Sequence, residues 1–224
     1  MPYECLITAA LAGIIGSLLV GISDVLGAGQ VRPMPFYWRQ PWMYFAGLPR
    51  WRMRACLAGS LALPLASAGY VVVFAMLAPA GILAASAAVL PMAYFMLLGT
   101  SIHTQISLLG ELADCVNQRT WPLPTSELVD DYRTRSLQHL RLITSPALVA
   151  YAIGSTCFSM TVWFSVTRYP AWMGLFNPFL LTLGLRRLFV YLPPNPFGWI
   201  RPAVVHLVHT PLLMLSTYFL WKSM

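Results

Sequence analysis

The chain has 224 residues, of which 58% are hydrophobic and only 9% are charged. Soluble domains carry about 25% charged residues, and several runs here reach the roughly 18 apolar residues that cross a bilayer, so composition excludes a soluble globular domain. The net charge of +7 comes from arginines spread over the ends of the apolar runs, so nucleic acid is not a predicted partner.

Six apolar segments predict an all-α polytopic bundle that forms a single integral membrane domain over residues 1–224. Backbone groups in lipid must be satisfied within each segment, so the segments are expected to be helices. The first segment lacks the basic region that opens a signal peptide, and it is expected to remain as a span. The predicted spans are 6–29, 55–79, 82–112, 143–167, 171–190 and 200–222.

The first span carries a stripe of small residues at every fourth position, which predicts close approach of another helix backbone. Asp24 follows three residues after the last member of this stripe, so its carboxylate is predicted to face the bundle interior. The stripe consists of Ala9, Gly13, Ser17 and Gly21.

The connection 30–54 mixes prolines, aromatic rings and five arginines, a composition typical of the headgroup layer. We expect an interfacial loop in which Arg32, Arg39 and Arg50 lie near anionic lipid of the inner leaflet. A simple membrane anchor would explain this segment, and a substrate lid is the alternative.

The third span leads into a second polar connection. His103 and Ser107 lie on one helix face, four residues apart. Residues 125–142 predict a cytoplasmic helix that continues directly into the fourth span.

Orientation follows from the basic residues. Twelve of the fourteen Lys and Arg residues lie in the connections 30–54, 113–142 and 186–201. The positive-inside rule predicts that these connections are cytoplasmic and that both termini are on the non-cytoplasmic side. The expected location is the plasma (inner) membrane.

This topology predicts that ionisable groups of separate helices lie at one depth. At about 1.5 Å per residue, Asp24 and His103 lie about 27–30 Å below the outer starts of their helices. His206 and His209 lie about 9–14 Å above the inner start of the last span.

Polar groups inside a bilayer are costly and tend to face the bundle interior. The sequence therefore predicts a polar cluster in the cytoplasmic half that could take a small molecule or an ion. The structural alternative is that Asp24 pairs with an interface arginine and that each imidazole bonds across helices. The candidate residues are Asp24, His103, Ser107, His206, His209 and Arg186.

Two functions fit this pattern directly. A small proton- or cation-coupled transporter could use the carboxylate and imidazoles, because such pairs shift each other's proton affinity across the physiological range. A non-catalytic scaffold or accessory subunit could use the aromatic loop and the helix 125–142 to dock a partner. The sequence has no P-loop, GxSxG or GxGxxG motif, which argues against ATP-driven transport by this chain alone.

A third function comes from a resemblance. Asp24, Ser101, His103 and the HxxH of 206–209 are similar in ingredients to the ceramidase-like intramembrane hydrolases, which implies a zinc ion and metal-dependent lipid hydrolysis. The sequence departs from that family in placing the acid on the first helix, in HxxH in place of HxxxH, and in six predicted spans in place of seven.

The cysteines give no further sign of a metal site. They have no CxxC spacing and are predicted to be packing thiols. The four positions are Cys5, Cys56, Cys115 and Cys157.

Overall fold

A computed structural model describes residues 2–29, 50–117 and 123–223 of the chain. The regular elements within these ranges are helical, as the apolar segments predicted. The α-helices are α1 (Tyr3–Ala28), α2 (Arg50–Ala68), α3 (Tyr70–Leu77), α4 (Ile82–Asn117), α5 (Leu123–Phe164), α6 (Pro178–Tyr191), α7 (Pro194–Ile200) and α8 (Val204–Lys222), with 3₁₀ turns at Ala78–Ala80, Ala171–Leu175 and Arg201–Ala203.

Five helical stretches within the described ranges are long and apolar enough to cross a membrane. Large apolar side chains on their outer faces, such as Leu61 and Leu83, are exposed, and apolar surface of this extent requires lipid. The fold is therefore that of an integral membrane protein. The five stretches are Tyr3–Gly27, Trp51–Ala80, Ile82–Leu112, Asp130–Phe164 and Pro196–Lys222.

The predicted span 171–190 is not one helix. A 3₁₀ turn, Ala171–Leu175, comes first, and α6 starts only at Pro178 and has 14 residues. The Asn177 side chain accepts a hydrogen bond from the Leu180 amide at 3.0 Å, which fixes this start. At about 1.5 Å per residue α6 is about 21 Å long, shorter than the hydrocarbon core of about 30 Å. Apolar composition alone therefore overestimated the length of this helix.

The connections also differ from their predicted bounds. Helix α2 begins at Arg50, so residues 50–54, predicted as loop, are helical. Arg32 and Arg39 lie outside the described residues, as does the side chain of Arg50, so their contact with anionic lipid stays a prediction. Residues 125–142 lie within α5, which continues without a break to Phe164.

Helix α1 packs closely against two other elements. Gly13 lies against the backbone of Gly69, and a methyl group at position 13 would overlap it. On α8, Leu213 lies near Gly13, and His206 lies near Gly21. Helices α1 and α8 are therefore antiparallel, and the small-residue stripe of α1 provides the contact face that the sequence predicted.

Aromatic packing and hydrogen bonds between helices hold the part of the bundle around Tyr151 and Tyr169. Phe95 stacks on Tyr151 with ring centroids 4.3 Å apart, and the Tyr151 hydroxyl lies 2.9 Å from Thr182 Oγ1. The Tyr169 hydroxyl lies 2.6 Å from Ser216 Oγ. Around these bonds the core is filled by large buried side chains, among them Tyr70, Met76, Met92, Met96, Phe158, Met173 and Leu212.

Candidate functional site

Asp24 lies near the end of α1 and its carboxylate is buried in the bundle. Its Oδ1 atom is 3.5 Å from His103 Nε2 on α4, and its Oδ2 atom is 3.8 Å from His206 Nε2 on α8. Three helices thus bring one acid and two imidazoles together, with one carboxylate oxygen facing each ring. We refer to Asp24, His103 and His206 as the Asp24 cluster.

Two glycines leave room for the imidazoles. A Cβ atom at Gly21, one turn before Asp24, would lie 3.3 Å from His206 Cβ. On α2, a Cβ atom at Gly59 would overlap the Ser23 side chain and lie 3.3 Å from His103 Nδ1. A larger side chain at position 59 would therefore displace His103 from its place beside the carboxylate.

Each imidazole also has a neighbour at its other ring nitrogen. His206 Nδ1 is 3.5 Å from Ser17 Oγ, and Thr210 Oγ1 donates to the same Ser17 oxygen at 2.9 Å. His103 Nδ1 is 4.0 Å from Cys56 Sγ. A hydroxyl or thiol that donates to Nδ1 assigns the ring hydrogen to Nε2, which then points at the carboxylate.

Solvent access differs between the two sides of the cluster. The side chains of His103 and Asp24 are 15% and 11% exposed, whereas that of His206 is 5% exposed. Ser17, behind His206, is fully buried. The cluster therefore opens on the His103 side and is closed on the His206 side.

His209 lies in a different environment from His206, although only three residues separate them. Its ring centroid lies 5.1 Å from that of Tyr151, 6.0 Å from that of Tyr70 and 6.3 Å from that of Phe95. Within the described residues, neither His209 nitrogen nor the Tyr70 hydroxyl has a hydrogen-bond partner, and all are buried. We call Tyr70, Phe95, Tyr151 and His209 the aromatic layer; His209 belongs to it and not to the Asp24 cluster.

The sequence named two further candidates, Ser107 and Arg186. Ser107 is buried one turn after His103, but in the described part of the chain its hydroxyl makes no hydrogen bond. Arg186 is half-buried on α6. Among the described residues Asp24 makes ion-pair contacts with the two imidazoles, while the interface arginines Arg32 and Arg39 lie outside the described residues.

Arg52 has a role that the sequence did not indicate. It is buried, its Nε donates to the Leu26 carbonyl at 2.8 Å, and its Nη2 donates to the Gly29 carbonyl. Its guanidinium carbon lies 5.2 Å from the centroid of the Trp199 ring. A cation suits the negative end of a helix dipole, so Arg52 fixes the end of α1 that carries Asp24.

Comparisons with protein-family models, with curated proteins and with solved structures find no match for this chain. The geometry of the Asp24 cluster alone therefore carries the functional argument. Over residues 2–29, 50–117 and 123–223, no group of three His, Cys, Asp or Glu side chains is arranged to hold a metal ion. An acid between two bases is suited to binding and releasing a proton.

Proposed function

We propose that the protein is a small proton-coupled transporter of the plasma (inner) membrane and that Asp24 is its proton-binding group. The observation that supports this most is the buried carboxylate of Asp24, which lies within 3.8 Å of Nε2 atoms from two other helices. An ionisable residue that is held inside a membrane bundle by partners on other helices is typical of a proton pathway.

The donor set favours a proton over a metal cation as the coupling ion. A calcium ion takes about six to eight oxygen ligands, and a magnesium ion demands near-octahedral geometry with oxygen ligands and water. Two imidazoles lie within 3.8 Å of the Asp24 carboxylate oxygens, and imidazoles are proton acceptors and poor partners for hard cations. A proton can move between the carboxylate and either ring without any further ligand.

The proposed topology keeps both termini on the non-cytoplasmic side, with α6 and the turn before it completing a sixth crossing. Two pairs of hydrogen-bonded residues support an antiparallel packing of α6 against α5. Asn177 Nδ2 donates to the Ser155 carbonyl at 3.2 Å, and Thr182 lies beside Tyr151. The antiparallel course of α1 against α8 also supports this topology, because it puts the start of the first helix and the end of the last helix on one side of the bundle.

Metal-dependent lipid hydrolysis is supported less well. Asp24, His103 and His206 do meet, but the ring of His209 lies in the aromatic layer, so the HxxH pair does not converge on the acid. Ser101 is exposed on the surface of α4. The residues that carried the resemblance are therefore divided among three environments.

The test is a proton-flux assay on purified protein in liposomes that enclose a pH-sensitive dye. A potassium gradient with valinomycin drives protons inward, and the assay is repeated with acid-loaded vesicles and a panel of external sodium, lithium, potassium and calcium salts. We expect the wild type to exceed empty liposomes in at least one format and Asp24→Asn to return to the empty-liposome rate.

The conservative change to Asn keeps size and removes only the ionisable group, and equal thermal midpoints of the two proteins would exclude misfolding as the cause. Equal proton flux in wild type, Asp24→Asn and empty liposomes under every condition would overturn the proposal.

A further inference from the structure

We propose that Ser17 and Thr210 form, with His206, a proton relay that ends on the Asp24 carboxylate. This inference rests on the proposed proton-coupled function and names the route that the proton takes inside the bundle. It assigns a role in proton transfer to two hydroxyl residues at the contact of α1 and α8.

The relay is a continuous series of neighbouring groups that runs from Thr210 Oγ1 to the Asp24 carboxylate, with separations of 2.9, 3.5 and 3.8 Å. Thr210 Oγ1 donates to Ser17 Oγ at 2.9 Å, which leaves the Ser17 hydrogen available for His206 Nδ1 at 3.5 Å. The ring hydrogen then lies on Nε2, which faces Asp24 Oδ2 at 3.8 Å. Because 3.8 Å exceeds hydrogen-bond distance, the last transfer requires the ring and the carboxylate to move closer.

In this series a hydroxyl donates across a helix contact, as Ser23 Oγ also does to the Ala55 carbonyl. Ser and Thr in membrane helices commonly bond to the carbonyl four residues earlier in their own helix. Ser67 and Thr217 do so here, at 3.0 Å to the Leu63 carbonyl and 2.7 Å to the Leu213 carbonyl. Thr210 donates across the helix contact to Ser17, so a merely helix-stabilising role does not account for its orientation.

The transfer can be written with each proton accounted for. A proton that arrives at Thr210 Oγ1 allows the Thr210 hydrogen to pass to Ser17 Oγ, and the Ser17 hydrogen passes to His206 Nδ1. The imidazolium so formed releases its Nε2 hydrogen to Asp24 Oδ2. The net result is a neutral imidazole with its hydrogen on Nδ1, a protonated carboxyl, and one proton fewer at the entrance.

The side chains of the proposed route are buried, which keeps solvent away from them. Ser17, His206, Thr210 and Asp24 are all buried, whereas the His103 side chain is 15% exposed. In the proposed direction, protons pass from Thr210 and Ser17 through His206 to Asp24 and leave on the His103 side, where the side chain is more exposed. The side chains in this path are packed between α1 and α8, where Gly21 lets His206 approach.

The experiment uses the same dye-loaded liposomes with the variants Ser17→Ala, Thr210→Val and Thr210→Ser. We expect the first two to lower the Asp24-dependent proton rate by about tenfold or more and Thr210→Ser to retain at least about half of it, because serine keeps the donor. Thr217→Val is the matched control on α8, since its hydroxyl bonds only to its own helix, and its rate should equal that of the wild type.

The outcomes separate the relay from the function on which it rests. Wild-type rates in Ser17→Ala and Thr210→Val, with Asp24→Asn inactive, would overturn the relay and leave the transporter proposal standing. Equal loss in Thr210→Val and Thr210→Ser would also overturn it, because that pattern indicates packing and not proton donation. If the wild type shows no Asp24-dependent flux, the transporter proposal fails and the relay falls with it.

Discussion

His206 and His209 lie on the same helix, three residues apart, and both are buried, yet their surroundings have little in common. His206 has a carboxylate oxygen 3.8 Å from one ring nitrogen and a serine hydroxyl 3.5 Å from the other. His209 has three aromatic rings around it and, among the described residues, no hydrogen-bond partner for either nitrogen. The role of an intramembrane histidine is thus decided by the helix it faces and not by its depth.

The largest difference in proton flux is expected between variants in which His206 or His209 is replaced. His206→Leu leaves Asp24 with one imidazole and breaks the Ser17 contact, so Asp24-dependent proton flux should fall by about tenfold or more. His209→Phe fills the aromatic layer with a ring of similar size and should keep the flux within about twofold of wild type. Flux assays on both variants measure this, and a larger loss in His209→Phe would contradict the separation of the two layers.

The next prediction concerns the space beside His103. In Gly59→Ala the added methyl group meets Ser23 and His103, so the imidazole must move and flux should fall by about threefold to tenfold. A methyl group added at Gly184 on α6 would meet nothing within 4 Å, so Gly184→Ala is the control and should behave as wild type. Equal rates in the two variants would show that the position of His103 is not limiting.

A smaller effect, on stability, distinguishes the two tyrosines of the aromatic layer. Tyr151→Phe leaves Thr182 without its partner and should lower the free energy of unfolding by about 0.5–1.5 kcal/mol. Tyr70→Phe removes a buried hydroxyl that has no partner in the described residues, so it should be neutral or stabilising by about 1 kcal/mol. Reversible unfolding in mixed micelles gives both values, and a reversed order would contradict the hydrogen bonds described.

The smallest effect on proton flux is expected from substitutions of Cys56. Its thiol lies 4.0 Å from His103 Nδ1, a weak contact on the open side of the cluster. Cys56→Ser keeps a donor of similar size, so proton flux should stay within about twofold of wild type, while Cys56→Ala should reduce it slightly more. A loss as large as that of Asp24→Asn would place Cys56 within the proton path and require a second relay.

Much of this arrangement is predictable from the sequence because it depends on properties of single helices. The small-residue stripe placed Asp24 toward the bundle, and five of the six predicted apolar spans correspond to the stretches long enough to cross a membrane. The prediction of one continuous helix over 171–190 was wrong because a new helix starts at Asn177 and Pro178. This is a local signal, and the average apolarity of the segment conceals it.

The remaining features depend on contacts between helices, which periodicity along one helix does not reveal. Depth alone put His209 beside His206, but the surroundings of each ring are decided by which helices flank α8. Likewise Cys56 belongs to no motif that the sequence shows. It lies next to His103 because α2 and α4 pack together at Gly59. The burial of Arg52 at the end of α1 depends on a similar contact.

The central claim is that a single buried carboxylate is shared by two imidazoles from different helices. An experimental structure of the protein in lipid nanodiscs tests it most directly. We predict Asp24 Oδ1 and Oδ2 near 3.5 and 3.8 Å from the Nε2 atoms of His103 and His206. An Asp24 side chain that faces lipid, or one that pairs with an arginine while the two rings lie apart, would contradict the account.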